Sequence, residues 1–263
     1  MNILLGSDPE LFVKDNNVLV SAWGMVDGDK HNPLAVTDGA VQVDGMALEY
    51  NTNPASTLEE WEHNHVSVQS DLRAMLGEGQ TLHALPTAFF ADEVFDTSPK
   101  EALILGCEPD FNAYTGKPNA KPNGNVKFRT GAGHIHIGWG EGFDVNSDFH
   151  MGECKALAKM LDLHLGLPSV LLDDDNQRRK LYGAAGCFRP KSYGMEYRTL
   201  SNFWVEDAEL RTWAYKATKQ AIHHALDPKA RAYEWVPHSI NSNNKDNARY
   251  GIRNFELEVP HGL

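Results

Sequence analysis

Alternation of apolar and polar positions dominates the first fifty residues, and it predicts strands. Residues 2–13, "NILLGSDPELFV", read as one strand carrying acidic residues, followed by the turn "KDNN" and the short strand "VLVSAWG". The segment "AVQVDGMALEYNTNP" reads as two short strands meeting at Asp44-Gly45. The period then lengthens. In "NPASTLEEWEHNHVSVQSDLRAML", Ser56 or Thr57 suits an N-cap, glutamates fill the first turn, and Leu58, Trp61, Val68, Leu72 and Met75 suit one helical face. "TLHALPTAFF" and "EALILGC" read as further strands. The Asn-, Pro-, Gly- and Lys-rich "EPDFNAYTGKPNAKPNGNVKFR" is a long irregular stretch, of the kind that is functional or mobile.

The second half repeats the mixture. "RTGAGHIHIGWG" holds a strand in which period two puts His134 and His136 on one face and Ile135 and Ile137 on the other. A helix runs from about Ser147 to Leu165 and stops at "GLP". "SVLLDDDNQRRKLYGAAGCFRPKSYG" mixes a short helix with loop, and "MEYRTLS" reads as a strand. "VEDAELRTWAYKATKQAIHHAL" is an amphipathic helix with acids early and His223 and His224 late, and the polar tail ends on the apolar "NFELEV". Strands cluster, with helices between some of them, which predicts an α+β fold. No shift in composition divides the chain, so residues 1–263 are expected to form one domain.

Composition narrows the function. The formal net charge of -12 argues against a surface that wraps nucleic acid, although a small basic pocket remains compatible with it. Apolar residues at 41% and charged residues at 23% fit a globular chain. Cys107, Cys154 and Cys187 lack CxxC spacing and are odd in number, so neither a disulfide framework nor a zinc knuckle is indicated. The N-terminus has no basic region and its apolar run is too short to span a membrane, so a cytoplasmic location is expected.

The strands carry unusual polar residues. Asp8 and Glu10 share a face, Glu49 lies with Asn51, His134 with His136, and Glu196 with Arg198. Each pair alone is compatible with a wet sheet face. Together they bring carboxylates, imidazoles and a guanidinium where a wet face carries Lys, Thr, Ser and Gln. Like charges on one face call for a cation or ligand, and carboxylates with a lone imidazole suit Mg²⁺ or Mn²⁺ better than structural zinc. The segment "NQRRKLYGAAGCFRPKSYG" adds Arg178, Arg179, Lys180, Arg189 and Lys191 among glycines, a composition suited to anion recognition. A divalent-metal, nucleotide-using enzyme is the resulting reading. His-x-His on a strand leaves a metal-dependent hydrolase open as well.

Four motifs in order resemble the glutamine synthetase and glutamate–cysteine ligase superfamily, and within it the small phage-associated COOH–NH2 ligases (predicted amidoligases). They are "GSDPELFV", "VDGMALEYNTNP", "GAGHIHIG" and "YGAAGCFRPKSYGMEYRTLSNFW", spanning residues 6 to 204. The resemblance implies an antiparallel sheet curved into a half-barrel, with helices on its convex side and ATP and Mg²⁺ or Mn²⁺ on its concave face. It places Asp8, Glu10, Glu49, His134 and Glu196 at metal, and His136, Arg198 and Arg179 at the nucleotide. It also places Arg198, Arg189, Arg178 and Glu49 in catalysis. One of the two histidines contacts metal and the other the nucleotide or substrate; the residues leave open which. Asp44 is a weaker candidate, because Asp-Gly is also an ordinary hairpin turn.

The implied reaction is ATP-dependent amide or peptide bond formation through an acyl phosphate, between small-molecule or peptide carboxylates and amines. No nucleic-acid or membrane partner is expected, and a phage-encoded enzyme would work in the host cytoplasm. Rival readings are the hydrolase and a non-catalytic phage binding protein of the same fold. No cysteine is needed. "GCEPDF" echoes "GSDPELF", so Glu108 and Asp110 are a possible second acidic strand end, with the Pro-rich loop after them as a lid. His63, His65, His164, His223 and His224 read as surface or dipole-compensating residues, and Trp61, Trp204 and Trp213 as core.

Overall fold

The computed structural model describes residues 2–104, 110–120 and 126–261. Glu108 and Cys107, and part of the Pro-rich stretch, lie outside the described residues. In chain order the strands are β1 (Leu4–Ser7), β2 (Glu10–Asp15), β3 (Val18–Val20), β4 (Leu34–Val36), β5 (Gly39–Asp44), β6 (Ala47–Thr52) and β7 (Gln80–His83). They continue as β8 (Thr87–Ala88), β9 (Phe111–Asn112), β10 (Arg129–Thr130), β11 (Ile135–Gly138), β12 (Cys187–Lys191) and β13 (Gly194–Tyr197). The fold is mixed α+β with antiparallel sheets that do not close into a barrel. One large sheet has the order β1-β11-β13-β12-β9, the other large sheet has the order β3-β2-β6-β5-β4 with β7 also on β2, and β10 pairs with β8 in a small two-stranded sheet.

The expected single strand over residues 2–13 is broken at Asp8-Pro9. Proline has no N–H for a ladder, so β1 pairs with β11 on one side of the break and β2 with β6 on the other. The Pro9 carbonyl still accepts from Tyr50 N at 3.1 Å, and Leu5 exchanges backbone bonds with Ala55 at 2.8 and 2.7 Å. This one segment therefore joins the two sheets. The Asp44-Gly45 hairpin forms as expected, with Gly45 at φ +58.

The helix Leu58–Ala74 starts on Thr57, whose hydroxyl accepts from Glu60 N at 3.1 Å while the Glu60 carboxylate accepts from Thr57 N at 3.3 Å. Its buried stripe of Trp61, His65, Val68 and Leu72 follows helical spacing. Trp61 stacks on Trp204 at 5.7 Å, and Trp213 is also buried, so all three belong to the core. The helix Ala208–Ala225, capped by Asp207, packs against Leu58–Ala74 and against Asp148–Leu161. Among the described residues no helix is long and apolar enough to cross a membrane.

Several elements differ from the sequence pattern. Glu101–Leu103 of the expected strand "EALILGC" belong instead to the single helical turn Lys100–Leu103, which follows Pro99. The helix expected to stop at "GLP" runs on: Asp148–Leu161 passes through a π turn at Asp162–Gly166 into Leu167–Leu172. Pro168 sits in the first turn after that bulge, where its missing N–H is least costly. The tail forms helices Trp235–Asn241 and Lys245–Asn254, which cover Leu167 and Val170 in a second apolar cluster. His65 is not a surface residue. It is fully buried, with its ring nitrogens at Tyr50 OH (2.8 Å) and Ser7 Oγ (3.2 Å). His164 is also buried, between Gln220 and His224 at 3.0 Å each.

Candidate functional site

Register, more than sequence proximity, assembles the site. Residues directly opposite in an antiparallel ladder share a face. In the first sheet Gly6, His136, Glu196 and Arg189 are successive partners across β1, β11, β13 and β12. In the second sheet Glu10, Glu49 and Gln42 are successive partners across β2, β6 and β5. Period two then adds His134, Arg198 and Lys191 to the first row and Asp44 to the second. Asp8, at the break between the sheets, reaches the first row.

The first row is a dense ionic network. Asp8 Oδ1 lies 3.1 Å from His134 Nδ1 and Asp8 Oδ2 3.1 Å from His136 Nε2. Glu196, fully buried, meets Arg198, Arg189 Nη1 at 3.2 Å, Lys191 Nζ at 3.0 Å and His134 Nδ1 at 3.3 Å. Burial alone would raise Glu196, but Arg198 and the two histidines hold it below the usual carboxylate range. Burial would likewise raise Asp8, and His136 and His134 hold it well below that range.

The two histidines sit in different surroundings. His134 Nε2 lies 3.3 Å from Arg178 Nη2, and its Nδ1 lies 3.1 Å from Asp8 Oδ1 and 3.3 Å from Arg198 Nη1. Burial, with Arg198 next, lowers His134 to about 4, and both its ring nitrogens are engaged. Burial pulls His136 down too, yet the adjacent Asp8 leaves it raised. His136 Nδ1 pairs with the Tyr193 hydroxyl, while its buried Nε2 faces Asp8 without hydrogen-bond geometry.

The second row is acidic. Glu49 Oε1 accepts from Gln42 Nε2 at 2.9 Å and Glu10 Oε2 from Ala132 N at 2.9 Å. Burial, then Asp44, pushes Glu10 up to about 8. Burial also raises Asp44, against the pull of Lys30. Glu49 stands well above its usual range through burial and the nearby charges of Asp8, Asp44, Glu10 and Glu196. Two three-donor groups result, each with ligand atoms within 4.8 Å of one another: Asp8, His136 and Glu196, and Glu10, Asp44 and Glu49. The imidazole–carboxylate donor set of the first group and the three clustered carboxylates of the second fit hard divalent cations.

These shifts carry a pH prediction. A carboxylic acid whose folded pKa exceeds its unfolded one contributes less stability as pH rises between the two values, here from about 4.5 to about 8 for Glu10. Buried histidines lowered to about 3 (His65) and about 4 (His134, His164) lose stability as pH falls below their unfolded 6.5. The metal-free protein is therefore expected to lose stability as pH rises from about 6.5 to about 8. Thermal unfolding in EDTA checks this; a flat or rising midpoint across that window contradicts it.

A polar cavity of about 430 Å³ opens between the rows, lined by Asp8, Glu10, Asp44, Glu49, both histidines, Lys30, Arg189, Lys191 and Arg198. A neighbouring groove of about 630 Å³ shares His136 and Asn51 with it and is walled by Leu4, Pro54, Trp139 and Tyr193. On the other side Arg178, Arg129 and Tyr182 line a smaller recess of about 70 Å³ that shares Glu10, Asp44 and Arg198 with the cavity.

The expected site residues Asp8, Glu10, Glu49, His134, His136, Arg178, Arg189, Glu196 and Arg198 are all brought together. Arg179 is not. Its guanidinium turns to Ser169 and Asn243 at 3.0 to 3.2 Å, in the helical layer. Sequence reasoning missed Lys30, Gln42 and Tyr193 and set Asp44 low. Asp110, noted only through the "GCEPDF" echo, accepts from Arg198 Nε at 3.2 Å. Cys154 and Cys187 are buried, which pushes both thiols up to about 12, consistent with no chemical role.

Residues 115–236, just under half of the chain, match the family described as phage phiEco32-like COOH.NH2 ligase-type 2. The match shows the family resemblance over a stretch that includes both histidines, Arg178, Arg189, Glu196 and Arg198. Asp8, Glu10, Asp44 and Glu49 lie outside it. No curated protein matches the chain. A crystal structure titled as a novel glutamine synthase homolog is similar at 10% identity and TM-score 0.43, over 96% of this chain and 63% of that one. A bifunctional glutathione synthetase from Pasteurella multocida is similar at 11% identity and TM-score 0.48, over 98% of this chain and 47% of that one. The chain thus spans less than two thirds of the length of either.

Proposed function

We propose, from the ligase family matched by residues 115–236 and from the cavity that its residues share with Asp8, Glu10, Asp44 and Glu49, that the chain is an ATP-dependent carboxylate–amine ligase. In this reading the two sheets, joined through β1 and β2, act as one curved half-barrel, and residues 1–263 work as one domain. The observation that carries it is one cavity in which Asp8, His136, Glu10, Asp44 and Glu49 face Arg189, Lys191 and Arg198, with Glu196 buried behind that basic wall.

Asp8, His136 and Glu196 would hold one Mg²⁺ or Mn²⁺, and Glu10, Asp44 and Glu49 another. When bound, such ions neutralise polyphosphate charge. The chain's own residues do the rest. Arg198, Arg189 and Lys191 supply positive charge where the phosphoryl group passes from ATP to a substrate carboxylate, breaking the bond to ADP and forming an acyl phosphate. His134, tied to Asp8 and Arg178, orients these two groups. An amine then attacks the acyl carbon and phosphate leaves, while a cavity carboxylate takes the proton that the incoming ammonium loses. The substrates are small-molecule or peptide acids and amines. A hydrolase is less well supported, since each donor group holds at most one imidazole.

The test is incubation of the folded protein with Mg-ATP and pools of amino acids and amines. ADP and phosphate release that depends on the carboxylate is expected. Absence of nucleotide binding overturns the ligase reading, and zinc-dependent hydrolysis without ATP favours its rival.

A further inference from the structure

The strand that carries Glu196, and the residues that follow it to Thr199, are held from behind by one buried acid. We propose that Asp162 is a positioning residue that sets the places of Arg198, which lines the cavity, and of Glu196, buried behind its wall, by holding Tyr197 and Thr199 on the opposite face of the chain. What the pair is used for rests on the ligase reading; the positioning itself does not.

Period two puts Glu196 and Arg198 toward the cavity and Tyr197 and Thr199 toward the helices. Asp162 opens the π turn that continues the helix Asp148–Leu161, and that helix packs on β12 and β13. It is fully buried, and its Oδ1 accepts from both Tyr197 OH at 2.7 Å and Thr199 Oγ1 at 3.2 Å. A π bulge inside a helix is rare and is frequently found at functional sites.

Two further observations indicate more than core packing. The ladder of β13 ends at Tyr197, so Arg198 lies beyond the last paired residue, held on its backbone by Arg198 N to Cys187 O at 2.9 Å. Sheet pairing alone therefore underdetermines where its guanidinium points. The Thr199 carbonyl accepts from Arg178 Nη1 at 2.9 Å, so the residue that Asp162 holds also anchors the arginine behind His134. The π turn closes on Gly166, where an added Cβ would meet Tyr197 OH at 2.8 Å and Asp162 Oδ1 at 3.2 Å. Only a residue without a side chain leaves the hydroxyl its path to the acid. Burial pushes the Asp162 carboxyl up to about 7, a cost that an apolar residue of similar volume would avoid.

The experiment compares full-length Asp162→Ala and Asp162→Asn, the second of which keeps an acceptor oxygen for both hydroxyls. Crystal structures read the positions of the Glu196 carboxylate and the Arg198 guanidinium. Electron paramagnetic resonance reads Mn²⁺ affinity, and circular dichroism reads the unfolding midpoint. Both variants are expected to melt lower. Only Asp162→Ala is expected to displace the pair and weaken Mn²⁺ by about tenfold or more, with Asp162→Asn staying near wild type. An Asp162→Ala protein with the pair in place and wild-type Mn²⁺ affinity overturns the proposal and leaves a purely structural acid. If the wild type binds no Mn²⁺, the ligase reading fails while the crystallographic comparison still decides the positioning. If Asp162→Ala does not fold, Thr199→Val removes one donor at nearly constant volume. Displacement of Arg198 is then expected, and an unmoved Arg198 overturns the proposal.

Discussion

Glu196→Ala is expected to lower stability by about 3–5 kcal/mol and to reduce ATP-dependent turnover by more than about 100-fold. The carboxylate has no exposure, and three cationic side chains converge on it, Arg189 and Lys191 from β12 and Arg198 from just beyond β13. Removing one partner of a buried ion network leaves the others desolvated and mutually repelling, which costs far more than the intact network contributes. Glu196→Gln keeps the volume but not the charge, so it shares the direction of both effects. Because Glu196 titrates below its unfolded value, its contribution is complete above the unfolded pKa of about 4.5 and is lost as pH falls below it. Urea unfolding at pH 7 and pH 4 therefore separates wild type and variant most at the higher pH. Wild-type stability with wild-type turnover would show that the network is not the site.

Glu49→Gln is expected to have the opposite sign on stability. Glu49 sits directly across the ladder from Glu10, in a group completed by Asp44, where like charges oppose one another. Without metal, the neutral amide relieves this repulsion and raises the unfolding midpoint at pH 8. With metal, the ranking inverts. A ligand present at 100 times its dissociation constant stabilises by about 2.7 kcal/mol, and a chain that has lost a metal carboxylate forgoes most of that increment. Differential scanning fluorimetry in EDTA and in Mg²⁺ at pH 8 measures both arms. A variant that gains as much from Mg²⁺ as the wild type does would remove Glu49 from the metal group.

Much of this site was visible in the alternation of single strands. The shared face of His134 and His136, the pairing of Glu196 with Arg198 and the wide spacing of the acids all follow from period two, which needs no knowledge of neighbours. Asp8 and Glu10 show where that reasoning stops. They were read on one face of one strand, yet Pro9 interrupts the ladder and sends them to different three-donor groups. Arg179 was grouped with Arg178 by adjacency, but on a helix adjacent side chains point about 100° apart, and Arg179 faces the helical layer. Asp44 was set low because a turn explains it; Gly45 does make the turn, and the carboxylate still joins Glu10 and Glu49. His65 and His164 look like surface residues in the sequence because the partners that satisfy their nitrogens are far away along the chain.

The α+β class, the capped helices, the residue types of the site and the strand faces that carry them are legible in short windows of the chain. These follow from local propensity and from periodicity. Which acid stands opposite which, the grouping of His136 with Asp8 and Glu196 while arginines enclose His134, and the place of Asp162 behind the Glu196 strand emerge from the folded arrangement. Each depends on the register between strands distant along the chain, and register is set by long-range hydrogen bonding and packing that no local window contains.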